Sequence, residues 1–429
     1  MNDRTGGLRV RQRRVKPILV GVVLLGVGIG AALTVREWPV WQVSRAVRSE
    51  MAAGRFEAAR KDVGRWLELR PDSSEALYYR VRIALALGQR RELAEGAERL
   101  KALGLAEPEK SLLAALIDAK FGRPAQATPA LRRAFDADRG PDPQVDEALA
   151  RVYLEAYDLP NAELAIARWM RDAPSAAEPY VWRAEVHRRL AAEPVEVVAD
   201  YREALARDPE KPEARLGLAD ELGRMHFNAE AATEYDAYRK LKPDDPAGLL
   251  GAGRNALELG DLDAASQRLT RALELAPDNA DIHRELAKLA QRRGDDIATL
   301  KHLDAVIERK PYDPAVRYTR KLVLVRLKRI DDANAEQLAI DRLNADLDHM
   351  NDIQTRLADA PHDARLQSAL AHWMFAHGYD QEGINWAKKI LIETPGHPET
   401  CALLARYYDS QGQRDLASEY RNQIGRTRR

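Results

Sequence analysis

Pro174, Pro209, Pro243, Pro277 and Pro311 stand 35, 34, 34 and 34 residues apart. A period of this length marks a stacked repeat, in which each unit buries its apolar face against its neighbours and not in one central core. It overrides the simpler division of 429 residues into about three ordinary domains. The unit is plainest at 246–279, PAGLLGAGRNALELGDLDAASQRLTRALELAPDN. Leu249, Ala252, Gly253 and Ala256 keep helical spacing, Gly260 and Asp261 interrupt it, and Ala265, Leu269 and Ala272 resume it. Pro277 biases Ala276 away from helical angles and ends the second helix there. Gly260 suits the end of the first helix and Asp261 the cap of the second. Gly253, Ala265 and Ala272 let the two backbones approach, while Leu249 and Leu269 fill the space beside them. After Trp38 no stretch alternates with period two, so the fold class is all-α.

Large residues where helices interlock and small ones where they nearly touch, on a 34-residue helix-turn-helix unit, make the sequence resemble the tetratricopeptide repeat family. The same frame fits 280–313 through Leu286, Ala287, Gly294, Asp295, Leu303 and Pro311, and 212–245 through Leu218, Ala219, Leu222, Ala231, Tyr235 and Pro243. It fits 143–176 through Leu149, Ala150, Tyr153 and Ala162, and 178–211 more loosely around Tyr201 and Ala204. Gly54, Ala59 and Pro71 mark a first unit at 40–73, and Gly88 and Gly122 mark two degenerate ones. Downstream lie 314–347, 364–397 and 398–425. The expected architecture is an α-solenoid of about eleven tetratricopeptide-like repeats over 40–425, preceded by one transmembrane helix. Residues 348–363 exceed the period, and Leu343, Leu347, Met350, Ile353 and Leu357 carry a helical stripe into them. This gives either a second helix lengthened by several turns and ended by Pro361, offering an extra contact surface, or an irregular link between two sub-stacks.

Lys and Arg number 67 and Asp and Glu 67, but the balance is uneven along the chain. Arg4, Arg9, Arg11, Arg13, Arg14, Lys16 and Arg36 face only Asp3 in the first 36 residues, so the remainder is net negative. Residues 17–35 hold no charge, and as a helix they span roughly 28 Å, one bilayer crossing. The basic tail 1–16 stays cytoplasmic under the positive-inside bias, and the body is expected on the extracytoplasmic side of a bacterial inner membrane. Trp38 and Trp41 fall at the interface, and a short basic tail, 426–429, ends the chain. The competing reading is export with cleavage of a signal peptide near Gly30-Ala31-Ala32. Gly26, Gly30 and Thr34 share one helix face and either pair two copies of the chain or reflect the ordinary abundance of glycine in such segments.

Convergent catalytic chemistry is not evident. HExxH, GxSxG, GxxxxGK[ST] and CxxC are absent, and no cofactor or metal is expected. The single cysteine, Cys401, excludes an intrachain disulfide framework and sits where a small apolar group would pack. His362, His372, His377 and His397 crowd the last units, but His372 and His377 are five apart and do not share a face. The doublets Asp244-Asp245, Asp295-Asp296 and Asp331-Asp332 fall where carboxylates cap helices. An enzyme with a site around His362–His397 is the alternative class, and a self-assembling structural protein is a third.

The resemblance implies that first helices line a concave groove through the second, fifth, ninth, twelfth and thirteenth positions of each unit. Those positions hold Arg254, Arg284, Lys288, Arg292, Tyr318 and Arg326, with Trp182 as a further anchor. Arg284, Lys288 and Arg292 are successive i, i+4 residues that repel one another unless an anion joins them; otherwise they form a solvated face. An acidic peptide or a C-terminal carboxylate would suit such a row. The asparagines of the family's chaperone-tail clamp are missing, with Lys288 and Gly251 at the corresponding places. Nucleic acid is not expected, because the body is net negative. The expected function is a membrane-tethered, non-catalytic adaptor that binds proteins or peptides to assemble cell-envelope factors.

Overall fold

The structure, a computed structural model, describes residues 37–121, 124–137 and 140–426. Among these, 22 helices and no strand are present, and the helices follow one another as hairpin pairs. The chain divides into two compact units, one ending at Leu113 and the other beginning at Ala114. The first holds α1 (37–52), α2 (Phe56–Leu69), α3 (Ser74–Ala86) and α4 (Arg90–Leu103), and α5 (Glu109–Lys120) spans the division. The second continues with α6 (Pro124–Asp136), α7 (Pro143–Glu155), α8 (Leu159–Asp172), α9 (Glu178–Arg189), α10 (Pro194–Arg207), α11 (Pro212–Arg224) and α12 (Asn228–Leu241). Then come α13 (Pro246–Leu259), α14 (Leu262–Leu275), α15 (Ala280–Arg292), α16 (Asp296–Arg309), α17 (Pro314–Arg326), α18 (Ile330–Asp359), α19 (Ala364–Ala376), α20 (Asp380–Glu393), α21 (Pro398–Ser410) and α22 (Arg414–Arg426).

The hairpin at 246–279 shows how the sequence specifies a unit. Asp245 caps α13 by accepting from the Gly248 amide, and its carboxylate also takes the Tyr238 hydroxyl at 2.5 Å. Gly260 closes the helix at φ +82°, and the Asp261 side chain then caps α14 through the Ala264 amide. Leu249, Ala252, Gly253, Ala256, Ala265, Leu269 and Ala272 are all buried. Gly253 lets the partner helix close in: a Cβ there would lie 2.7 Å from Leu269 Cδ2. The left-handed turn position recurs along the chain, and it is held at Tyr157, His226 and Lys328 without glycine, at φ 62°, 63° and 59°. Asp295 caps α16, whereas Asp331 and Asp332 lie inside the first turn of α18, whose cap position is Arg329. There they face the positive end of the helix dipole without acting as caps.

In the first unit Val47, Met51, Ala59, Val63, Trp66, Ala76 and Ile83 form one core, and Trp38 stacks on Trp41 at the exposed start of α1. The apolar run 17–35, with Gly26, Gly30 and Thr34, lies outside the described residues. No helix among the described residues is long and apolar enough to cross a membrane.

The extra residues after 347 join the preceding helix. Ile330–Asp359 is a single helix of 30 residues that ends ahead of Pro361. Ile340 and Leu343 are buried on its first half, and Ile353 and Leu357 on its second, where Met350, Leu366, Leu370 and Met374 complete a separate core with α19. The second unit also closes on itself. The Lys388 ammonium, on α20, donates to the backbone carbonyl of Glu155 at the end of α7. Burial pushes the Glu155 carboxyl up and the Lys388 ammonium down, each partly countered by the charge of the other.

Candidate functional site

The first helices of the second unit carry the residues singled out from the sequence. Arg254 on α13 donates to Glu285 at 3.1 Å, and Lys288 reaches the same carboxylate oxygen at 3.1 Å. Glu285 is almost fully buried, so one acidic group ties two neighbouring first helices together. Arg284 bridges Asp281 at 2.9 Å and Asp313 at 2.7 Å. Arg292 caps the Leu257 carbonyl and approaches Glu258 at 3.5 Å. Arg326 forks onto Asp296, which is held below the usual carboxylate range by that hydrogen bond. Burial raises Asp281, but the Lys310 hydrogen bond and the charges of Lys310, Arg284 and Arg254 outweigh it and hold this group low too.

The cationic row is therefore a lattice of ion pairs between successive units. Each cation that repels its i+4 neighbour already has a carboxylate, and an anionic ligand would have to exchange with it. Trp182 lies apart from the row. Its ring is under the Arg151 guanidinium at 4.9 Å and edge-on to Trp169 at 5.9 Å. Tyr318 is exposed, with the Lys321 ammonium 5.8 Å from its ring centre. Leu322 and Val325, not among the residues singled out from the sequence, share that exposed face of α17. Their apolar character at groove positions was the available signal.

The histidines near the C-terminus each have a local setting. His362 meets Glu393 at 3.1 Å, His377 stacks on Trp373 and contacts its carbonyl at 2.8 Å, His397 caps α21, and His372 is exposed. No group of three His, Cys, Asp or Glu is gathered for a metal among the described residues. Cys401 is fully buried, and burial pushes its thiol up to about 11. Elsewhere His283 and His302 face each other, Nδ1 to Nδ1, at 3.0 Å. Burial, aided by the charges of His283 and Lys301, lowers His302 to about 4.

A stack of helical hairpins in which each pair packs on its neighbours defines an α-solenoid. Models of the tetratricopeptide repeat match residues 45–105 and 216–265, and a further TPR repeat model matches 253–294. Over these stretches the chain carries tetratricopeptide repeats. Cellulose synthase operon protein C of Pseudomonas fluorescens (strain SBW25) is 28% identical over 222 residues. That alignment takes in 50% of this chain and 17% of the relative, so the chain spans well under a quarter of that protein's length. PilF of Pseudomonas aeruginosa is 18% identical with a TM-score of 0.43, over 47% of this chain and 91% of its own. PilW, described as a widely conserved type IV pilus biogenesis factor, is 19% identical with a TM-score of 0.41, over 53% and 98%.

Proposed function

We propose that this protein is a non-catalytic scaffold that binds proteins or peptides along the exposed faces of its first helices and holds them at the cell envelope. The observation that carries the reading is the run of polar, exchangeable ion pairs across α13, α15 and α17, in which Arg254, Arg284, Lys288, Arg292 and Arg326 present charge on one side of successive repeats. An acidic segment or a C-terminal carboxylate exchanges with Asp281, Asp313 or Glu258 at little net cost, because one carboxylate replaces another. The segment 17–35 tethers the body to a membrane, which raises its effective concentration for partners confined there.

The test is crosslinking in native membranes of the producing cell, comparing the wild type with a variant carrying Arg284→Gln, Lys288→Gln and Arg292→Gln. A defined protein captured by the wild type and lost from the folded variant supports the reading. An unchanged catch removes these residues from the binding face. Retention of the chain in the membrane pellet after alkaline extraction supports the tether, and its release into the supernatant refutes it.

A further inference from the structure

Apolar residues at the ninth and twelfth positions of a first helix are covered where the next pair follows in register. Val186, ninth in its unit, is fully buried, and Leu154 and Leu257, both twelfth, are 7% and 1% exposed. On α17 the fifth, ninth and twelfth residues are Tyr318, Leu322 and Val325, and these are 53%, 41% and 45% exposed. The cause is the length of α18. One repeat earlier, α17 seats Val316 against Leu303 and Val306 of α16. By contrast α19 seats against Met350, Ile353 and Leu357, near the far end of α18. An insertion of about 16 residues moves the next pair roughly 24 Å along the helix. Leu338, on the near half of α18, is left exposed, whereas Asp304, one period before it, is met by Arg320 of the following helix at 2.6 Å.

The charge at this face is also unmatched. In the regular stack α15 brings Glu285 to Arg254 of the helix before it. On α17, Lys321 meets the side-chain oxygen of Gln337 and the ring of Tyr318, and among the described residues it has no carboxylate partner. We propose that the face of α17 and the near half of α18 bind an amphipathic helix of a partner protein. That helix stands where the next first helix of an uninterrupted stack would stand. Its apolar side covers Tyr318, Leu322, Val325 and Leu338, and a carboxylate on its flank meets Lys321. The proposal rests on the protein-binding reading above but uses residues outside the cationic row.

The experiment selects a phage-displayed library of helical peptides on the full chain, then titrates the enriched peptides, fluorescently labelled, by anisotropy. The expected peptides pair apolar residues at i, i+3 or i+4 with Asp or Glu. They weaken by about tenfold or more against Leu322→Asp, as loss of a central contact does. They weaken by about threefold or more against Lys321→Glu, with a salt dependence the wild type shows and that variant loses. Leu322 is exposed, so Leu322→Asp keeps the fold, which its helical circular dichroism and melting temperature check. Equal affinity for wild type and Leu322→Asp overturns the proposal, as does failure to enrich any helical sequence. Concentration-dependent self-association lost in Leu322→Asp, with no peptide bound, makes a second copy the occupant and also overturns it. Peptides lost from the Arg284, Lys288 and Arg292 variant but kept by Leu322→Asp remove this face and leave the row standing. The reverse pattern supports this face and removes the row.

Discussion

Asp146, the fourth residue of α7, is fully buried, and neither of its oxygens has a hydrogen-bond partner. The Arg168 Nε lies 3.2 Å away, but that guanidinium also serves Asp172 at 3.5 Å and the Phe135 carbonyl. Burial pushes the Asp146 carboxyl up to about 8 against the pull of Arg168, with Asp172 and Asp142 adding to the rise. Between the unfolded value of about 3.8 and this value, the folded chain keeps a proton that the unfolded chain has released. Stability therefore falls as pH rises through this window, by about 1.4 kcal/mol per pH unit, or about 2.7 kcal/mol from pH 5 to pH 7. The substitution Asp146→Asn is isosteric with the protonated acid and removes the dependence. Because repeats open locally, the assay is hydrogen exchange of the α7 and α8 amides, corrected for the intrinsic effect of pH. The wild type is expected to lose about 2.7 kcal/mol of protection relative to Asp146→Asn over that interval. Parallel changes in the two proteins would refute the reasoning and make Asp146 an ionised partner of Arg168 throughout.

A Cβ at Gly251 would lie 2.4 Å from the Tyr235 ring, which is held in place by its hydroxyl bond to Asp220 at 2.5 Å. Gly251→Ala is expected to cost about 1–3 kcal/mol, read as a lowered urea midpoint. Gly223→Ala, whose Cβ comes no closer than 4.0 Å to the same tyrosine, is expected to gain up to about 1 kcal/mol from helix propensity. His226 holds a left-handed turn at φ 63° where the neighbouring unit uses Gly260, and it is exposed. His226→Gly removes about 1–2 kcal/mol of backbone strain and adds about 0.5–1 kcal/mol of chain entropy to the unfolded state, for a net gain below about 1.5 kcal/mol. A lower urea midpoint would count against that assignment of strain.

The hairpin unit was legible because its determinants are local. Pro277, Gly260 and Asp261 act on backbone within a few residues, and the buried positions of α13 and α14 repeat at helical spacing. The stripe from Leu343 to Leu357 was likewise readable as helix, and α18 carries it. Partners across units were not readable. Arg254 finds Glu285 31 residues on, and Arg326 finds Asp296 30 residues back, so a row that looks uncompensated along one helix is compensated by the next. The step at α18 was also hidden, since a lengthened helix does not say where along it the following pair will sit. Asp146 occupies a position whose burial depends on packing with α8 and its Arg168, and a carboxylate near a helix start reads first as an ordinary dipole partner.

A row of hairpins touching only nearest neighbours behaves like a zipper. Its last pair can fray without the rest noticing, and each interface breaks at its own free energy. The clasp of Lys388 on the Glu155 carbonyl joins points 233 residues apart and gives the second unit a different mechanics. Peeling from the last helices must break a contact near the start of that unit once it reaches α20. From there a pull is carried to α7 as well as to the neighbouring pair, and the unit resists extension as a loop does and not as a strip.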